Sequence, residues 1–168
     1  MKIYIASDFH GNFEAARRVV DAFIAGGGDK LVILGDIYYH GARNPLPENY
    51  SPVRLANLLN SIKDKVVAIK GNCDSEVDET VSEFKFYKSY TMANLGKTYL
   101  FTHGHQINAT KPPELAEGSV VFHGHFHQHT DTVKRGIRYI NPGSAGLPFD
   151  GERGYLVLDG EEITWQAI

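Results

Sequence analysis

The chain has 168 residues, of which 42% are hydrophobic and 22% are charged, so we expect a single domain over residues 1–168 with a substantial core. Its formal net charge of -3 argues against strong nucleic-acid binding, which depends on basic side chains that neutralise phosphates. Because it has one cysteine, no recognisable secretory signal and no apolar run near the ~20 residues of a membrane span, we expect a cytoplasmic protein with no membrane partner.

The first half of the chain predicts alternating strands and helices. Residues 2–7, 30–36 and 65–74 are short apolar runs that end in polar turns, as buried strands do. Apolar residues recur at helical spacing after Asn12, which predicts a helix capped by that residue. A second helix is expected from Ser51-Pro52, with serine as the cap and proline in the first turn. This βαβαβ order favours a parallel sheet with right-handed crossovers.

The second half predicts mainly β-hairpins. Turns are expected at Gly96-Lys97, Arg135-Gly136 and Asp159-Gly160, and residues 119–125 predict one further strand. Parallel units followed by hairpins indicate a mixed α/β protein with two stacked sheets. Exposed strand edges in the hairpins also favour a homo-oligomer, either a dimer or a tetramer.

Side chains that bind metals occur at the ends of five predicted strands. They are Asp8, His10, Asp36, Asn72, His103, His125 and His127. Functional groups of open α/β sheets gather beyond the carboxyl ends of the strands, so we expect these seven side chains to converge. In extended backbone, residues i and i+2 point the same way, which would direct both members of each D-x-H or H-x-H pair to one site.

Each of these residues also has an ordinary interpretation. Asp36 and Asn72 are common turn residues, and His103 would suit a plain loop. The ordinary interpretation does not explain why all five strand ends carry such residues. We therefore favour a shared site.

The chemistry of the seven groups predicts two metal ions. Carboxylates, an amide oxygen and imidazoles without a thiolate cluster suit Mn²⁺, Fe, Zn²⁺, Ni²⁺ or Co²⁺ better than Ca²⁺. Seven groups are too many for one tetrahedral ion, but they suit two ions that share Asp36 as a bridge. Two ions ~4 Å apart promote in-line attack at phosphorus, because they polarise phosphoryl oxygens and acidify a bridging water. We therefore predict a binuclear-metal-dependent phosphoesterase that hydrolyses phosphodiester bonds of a small-molecule substrate by attack of a metal-bridging hydroxide.

The order of these blocks resembles the calcineurin-like metallophosphoesterases. The family's blocks D-x-H, G-D, G-N-H-[DE], a lone H and G-H-x-H correspond here to DFH, GD, GNCD, THGH and GHFH, over nearly the whole chain. The stretches LGDIYYHGARNPLPENYSP, KGNCDSEVD and NPGSAGLP are similar to the small bacterial phosphodiesterases of the YfcE type.

The resemblance implies a fold and a ligand set. The fold is an α/β, four-layer αββα sandwich of two mixed β-sheets flanked by helices, and the usual activating ion is Mn²⁺. One ion would be held by Asp8, His10, Asp36 and His127, and the other by Asp36, Asn72, His103 and His125.

One block departs from the family's pattern at Cys73, where many members have a histidine that donates a proton or stabilises the phosphate. A thiol is a weaker acid than an imidazolium, so the identity of the general acid stays open. Esters with good leaving groups should therefore react best. The ordinary interpretation of Cys73 is a small buried hydrophobic residue. The candidate catalytic residues are Asn72, Cys73 and His103.

Arg43 and Asn44, in the long loop after Asp36, are candidate substrate-binding residues. Arginine suits bidentate contacts with phosphate oxygens. An exposed loop arginine without a ligand is the ordinary alternative for Arg43.

Two other functions fit the same family. A phosphomonoesterase or nucleotidase would use the same metals on another ester. A catalytically silent scaffold has a precedent in a retromer subunit of this fold, although such scaffolds tend to lose ligand histidines that this chain retains. Fold analogy alone does not choose among these functions, whereas a panel of monoesters and diesters does.

Overall fold

Eleven strands form two mixed sheets in the computed structural model, which describes residues 1–168. The first sheet has the order β11-β10-β1-β2-β3-β4, and the second has the order β5-β6-β7-β9-β8. The strands are β1 Lys2–Ala6, β2 Lys30–Ile33, β3 Val66–Ile69, β4 Phe86–Tyr87, β5 Tyr90–Asn94, β6 Lys97–Phe101, β7 Val120–Phe122, β8 His129–Lys134, β9 Ile137–Pro142, β10 Gly154–Asp159 and β11 Glu162–Ala167. The helices are α1 Phe13–Ala25, α2 Pro52–Asn60 and α3 Glu76–Val81.

The predicted βαβαβ unit forms the middle of the first sheet. Strands β1, β2 and β3 are parallel, while β10 joins β1 antiparallel. Helix α1 begins as predicted, because the side-chain oxygen of Asn12 accepts a hydrogen bond from the amide of Ala15 at 3.0 Å. Helix α2 also begins at Pro52, but the predicted cap is wrong in one respect, since the Ser51 side chain makes no capping hydrogen bond.

The two sheets pack face to face through apolar side chains. Ile5 and Val32 of the first sheet share a core with Phe101 and Phe122 of the second. Helices α1 and α2 cover the outer face of the first sheet, where Val19, Phe23 and Leu55 lie in a second core. The stacked mixed sheets predicted from the sequence are therefore confirmed.

No helix covers the outer face of the second sheet, where the resemblance implied a helical fourth layer. Val121 and Tyr139 on this face pack against Ile107 and Leu115. Both of these belong to segment 102–119, which has turns and bends but no helix. Prolines and glycines separate the apolar residues of this segment, and these residue types do not sustain helical hydrogen bonding.

The sequence predicted neither α3 nor β4. Helix α3 buries none of its residues, so it has no apolar stripe to detect. Its start is stabilised by a capping box between Ser75 and Asp78. Strand β4 has two residues, which is too short for an alternating pattern.

The predicted hairpins are present with small shifts. Arg135 and Gly136 form the turn between β8 and β9, as expected. The other two turns lie one residue away from the predicted pairs, because Lys97 already pairs in β6 and Asp159 still pairs in β10. None of the helices has the length and hydropathy that a membrane crossing requires.

Leu55→Ala should lower the free energy of unfolding by about 2–5 kcal/mol, because the Leu55 side chain is fully buried between α2 and the first sheet. Urea unfolding followed by circular dichroism measures this change. Val53→Ala on the same helix is the control, since Val53 is 72% exposed and should change stability by less than about 0.5 kcal/mol. Equal losses in the two variants would contradict this packing.

Candidate metal centre

The seven candidate ligands meet at one edge of the sandwich. The chain leaves β1, β2 and β3 of the first sheet and β6 and β7 of the second immediately before them. Four of the seven are almost completely buried, with exposed fractions of at most 2%: Asp8, His10, Asp36 and His103. The site is thus built from both sheets rather than from one loop.

Most of these residues have left-handed backbone. Five of the eight non-glycine residues with positive φ belong to the candidate set: Asp8 (54°), His10 (49°), Asp36 (53°), His125 (71°) and His127 (54°). The prediction that each pair projects from extended backbone is therefore wrong. This conformation is uncommon for residues with a side chain, and its concentration here indicates that the fold holds these side chains against local preference.

The first group comprises Asp8, His10 and His127. The Nδ1 atoms of His10 and His127 donate to the carbonyl oxygens of Tyr39 (2.8 Å) and Leu147 (2.7 Å). Because the proton of each neutral ring is then on Nδ1, each Nε2 presents a lone pair. The two Nε2 atoms lie 3.0 Å apart and face each other.

Asp8 supplies the third acceptor of this group. Its Oδ2 accepts hydrogen bonds from the Ser7 hydroxyl and from the amide of His125 (3.0 Å). Its Oδ1 is buried without a hydrogen-bond partner and lies 3.4 Å from Nε2 of His127. An unpaired buried carboxylate oxygen is costly unless a cation compensates for it.

The spacing in the first group fits a metal ion. Two ligands at right angles on an ion with bonds of about 2.1 Å lie about 3 Å apart. The facing Nε2 atoms have this separation. Metal-binding histidines characteristically donate their second ring N–H to a backbone carbonyl, as both rings do here.

The second group comprises Asp36, Asn72, His103 and His125. Nδ1 of His103 donates to the carbonyl oxygen of Leu34 at 2.7 Å, which directs its Nε2 toward the site. That Nε2 lies 2.9 Å from Oδ1 of Asn72 and 3.3 Å from Oδ2 of Asp36. Ligand atoms of Asp36, His103 and His125 all lie within 4.8 Å of one another.

Asp36 lies between the two groups. Its Oδ2 is 3.3 Å from Nε2 of His103 and 3.8 Å from Nε2 of His10. Its other oxygen accepts a hydrogen bond from the amide of Cys73 at 2.8 Å, which fixes the orientation of the carboxylate. This is the geometry that a bridging ligand requires.

The acidic groups of the centre favour positive charge on its histidines. Burial alone would lower the pKa of His103, but the hydrogen bond to Asp36 and the charge of Asp8 raise it to about 9. Burial would raise the pKa of Asp8, but the nearby imidazoles of His127 and His103 hold it well below its usual range. A proton on His103 thus supplies charge that a cation would replace, since metal binding releases protons from its ligands.

Asp74 fixes the position of Asp36, a role that the sequence analysis missed. Its Oδ2 accepts from the amides of Asp36 (2.8 Å) and Gly71 (2.7 Å), and its Oδ1 accepts from the amide of Ile37 (2.8 Å). One buried carboxylate therefore ties the turn after β2 to the turn after β3. The available signal was the acidic residue that ends the GNCD block.

The NPGS segment, residues 141–144, supports the turns that carry Asp8 and Gly124. The Ser144 hydroxyl donates to the carbonyl oxygen of Asp8 at 2.7 Å, and the Asn141 amide donates to that of Gly124 at 2.9 Å. A Cβ atom on Gly124 would lie 1.9 Å from Oγ of Ser7. Glycine is therefore required for the close approach of this turn.

A cleft of about 440 Å³ opens over the two groups. Arg43 and Asn44 border it, so the predicted substrate-binding residues lie beside the candidate ligands. Cys73 also borders it, and burial together with the charge of Asp36 raises the pKa of its thiol to about 12. Phe149, which no sequence signal revealed, is 74% exposed and packs on the His127 ring with centroids 4.8 Å apart.

This chain is similar to known proteins in sequence and in fold. A family model described as the calcineurin-like phosphoesterase superfamily domain matches residues 1–162. Phosphodiesterase YfcE of Escherichia coli strain K12 is 40% identical over 170 residues, which cover 100% of this chain and 92% of that protein.

Solved structures extend the comparison. The structure of Yfce, a phosphoesterase from E. coli, matches with a TM-score of 0.92 at 35% identity and covers 100% of both chains. Vacuolar Protein Sorting 29 from Cryptosporidium parvum matches with a TM-score of 0.60 at 15% identity, over 99% of this chain and 96% of that one. The second likeness is one of fold alone.

Asp74→Asn should lower the free energy of unfolding by about 1–3 kcal/mol. The amide NH₂ of asparagine would face backbone N–H groups that now donate to the carboxylate. The substitution should also weaken binding of Mn²⁺, since Asp36 loses its fixed position. Urea unfolding and calorimetric metal titration measure the two effects. Asp64→Asn, at an exposed position, is the control, and indistinguishable stabilities would refute the role of Asp74.

Proposed function

The chain belongs to the calcineurin-like phosphoesterase superfamily, and from this premise we propose that it is a phosphodiesterase that depends on two divalent metal ions. Membership confirms the phosphoesterase predicted from the sequence. The observation that carries the finer proposal is the pair of acceptor groups that share Asp36.

The proposed ligands follow these groups. The chemistry of the donor set fits transition ions, because it combines carboxylate and amide oxygens with imidazole nitrogens. We propose Mn²⁺ as the native ion, because each group combines its imidazoles with carboxylate oxygens, which suit manganese. One ion would be held by Asp8, His10, Asp36 and His127, and the other by Asp36, Asn72, His103 and His125.

When bound, two such ions polarise phosphoryl oxygens and supply hydroxide near neutral pH for attack on phosphorus. The residues of the chain orient this chemistry. Backbone carbonyls hold the His10, His103 and His127 rings with Nε2 directed inward. Asn72 contributes its Oδ1 beside His103. Because these rings are fixed before substrate binds, little reorganisation is needed at the reacting centre.

The border of the cleft would bind the substrate. Arg43 is the one arginine or lysine that lines it, and its guanidinium would contact the phosphoryl oxygens beside the Asn44 amide. One cationic side chain suits the single charge of a diester better than the double charge of a monoester. Cys73 would remain a neutral thiol, so esters whose leaving groups need no protonation should react best.

The scaffold alternative has no specific observation in its favour. Acceptor atoms without donors serve no purpose in a surface for protein contacts, whereas a metal ion requires them. We also propose a cytoplasmic location, where Cys73 would stay a free thiol.

Asp36→Asn should remove the shared carboxylate and so lower Mn²⁺-dependent hydrolysis of bis-p-nitrophenyl phosphate by more than about 100-fold. Elemental analysis should show two bound ions per wild-type chain and fewer in the variant. His129→Ala is the control, because His129 stacks on Trp165 outside both groups and should keep activity and metal content. Wild-type protein that binds no Mn²⁺ and leaves the diester intact would refute the proposal.

Arg43→Ala should raise KM for bis-p-nitrophenyl phosphate by about tenfold or more, since a charge-assisted hydrogen bond contributes about 1.5–3 kcal/mol. Steady-state kinetics with Mn²⁺ measures this effect. The control is Arg18→Ala, because Arg18 lies in α1 beside Glu14 and its side chain is 57% exposed. An unchanged KM in the Arg43 variant would show that Arg43 does not contact the substrate.

A further inference from the structure

A second cleft, of about 530 Å³, lies beside the metal centre, and eight of its twelve lining residues are hydrophobic. We call it the apolar groove. Its walls come from the loop after β2, from α2 and from α3: Tyr38, Tyr39, Tyr50, Val53, Val77 and Val81. Small molecules typically bind in clefts of this size and apolar character.

The apolar groove adjoins the candidate metal centre. Cys73 lines both clefts, and its amide donates to Oδ1 of Asp36. Tyr39, on the groove wall, accepts the Nδ1 hydrogen bond of His10 through its carbonyl oxygen. A small neutral side chain therefore stands where the polar cleft becomes the apolar groove. A phosphoryl group at the metal centre would have one ester substituent within reach of this junction.

The lining of the groove selects for an uncharged group. It contains no lysine, arginine or histidine. Its one carboxylate, Asp78, is occupied by the capping box with Ser75. A second phosphate would find no cation here, whereas an apolar group would cover side chains that are now in water, including Val53 (72% exposed) and Val77 (68% exposed).

We propose that the apolar groove binds an uncharged apolar or aromatic ester group of the phosphodiester substrate. This proposal rests on the phosphodiesterase activity proposed above and deepens it, because it names the class of substrate. The metal centre and Arg43 recognise the phosphoryl oxygens, and the groove recognises one of the two organic groups. Diesters with an aryl or similarly apolar group are then preferred over those with small alkyl groups.

The test compares two ligands that share the phosphoryl monoanion. Diphenyl phosphate and dimethyl phosphate are titrated calorimetrically into the Mn²⁺-loaded protein. The wild type should bind diphenyl phosphate at least about tenfold more tightly, since burial of one aryl group contributes that much. The double variant Val53→Asn, Val77→Asn should lose most of this advantage and keep its affinity for dimethyl phosphate. Both positions are exposed, so the fold should survive, which circular dichroism checks.

A matched control distinguishes the groove from the other exposed ring near the centre. Phe149 lines the metal cleft but not the apolar groove. Phe149→Asn should therefore retain the preference for diphenyl phosphate. A preference that persists in the groove variant, or that vanishes only in Phe149→Asn, would overturn the assignment.

Two further results bear on the proposal. Sedimentation velocity of the wild type and the groove variant tests whether a second copy of the chain covers the groove, and a dimer that the variant abolishes would overturn the substrate role. Dimethyl phosphate that binds equally well with and without Mn²⁺ would refute the metal-dependent function itself, and the substrate assignment with it. Metal-dependent binding of dimethyl phosphate without an aryl preference would refute the groove alone.

Discussion

The structure depends on the convergence of imidazoles and carboxylates at one edge of the sandwich. The Nε2 atoms of three histidines and the carboxylates of Asp8 and Asp36 lie in one buried space, with the amide oxygen of Asn72 at its more exposed side. The Oδ1 atom of Asp8 has no hydrogen-bond partner at all. Such an arrangement is unfavourable by itself, because each buried acceptor has lost its water. Positive charge reverses the balance, and the donor set suits the divalent ions proposed above.

The fold stabilises this arrangement from outside. Strands of both sheets end at the site, and their apolar packing fixes where the turns begin. The turns then adopt left-handed backbone at five candidate ligands, which costs free energy locally. Hydrogen bonds that these turns form with Asp74, Asn141 and Ser144 offset that cost. The two sheets and their turns therefore serve chiefly to hold acceptors together.

The sequence predicted the candidate site better than it predicted the details of the fold. The occurrence of Asp8, Asp36 and His103 at strand ends was enough to predict that they lie together, because functional groups gather beyond the carboxyl ends of strands. The local backbone was predicted wrongly, since extended geometry was assumed where Asp8 and His10 are left-handed. Periodicity reveals neither a helix without a buried face, such as α3, nor the two-residue strand β4.

Long-range contacts were the other gap in the prediction. The acidic end of the GNCD block does not reveal that Asp74 anchors Asp36, because the hydrogen bond joins residues 38 positions apart. Phe149 and the apolar groove likewise arise from segments that only the tertiary fold brings together. Hydrophobic pattern identifies which residues are buried, but it does not identify which surfaces face one another.

The central claim is that the two acceptor groups each hold a metal ion through the shared Asp36 carboxylate. Anomalous X-ray diffraction at the manganese absorption edge, from crystals of protein loaded with Mn²⁺, tests it most directly. We predict two anomalous peaks, one among Asp8, His10 and His127 and the other among Asn72, His103 and His125, with Asp36 between them. A single peak, or two peaks that do not share Asp36, would contradict the account.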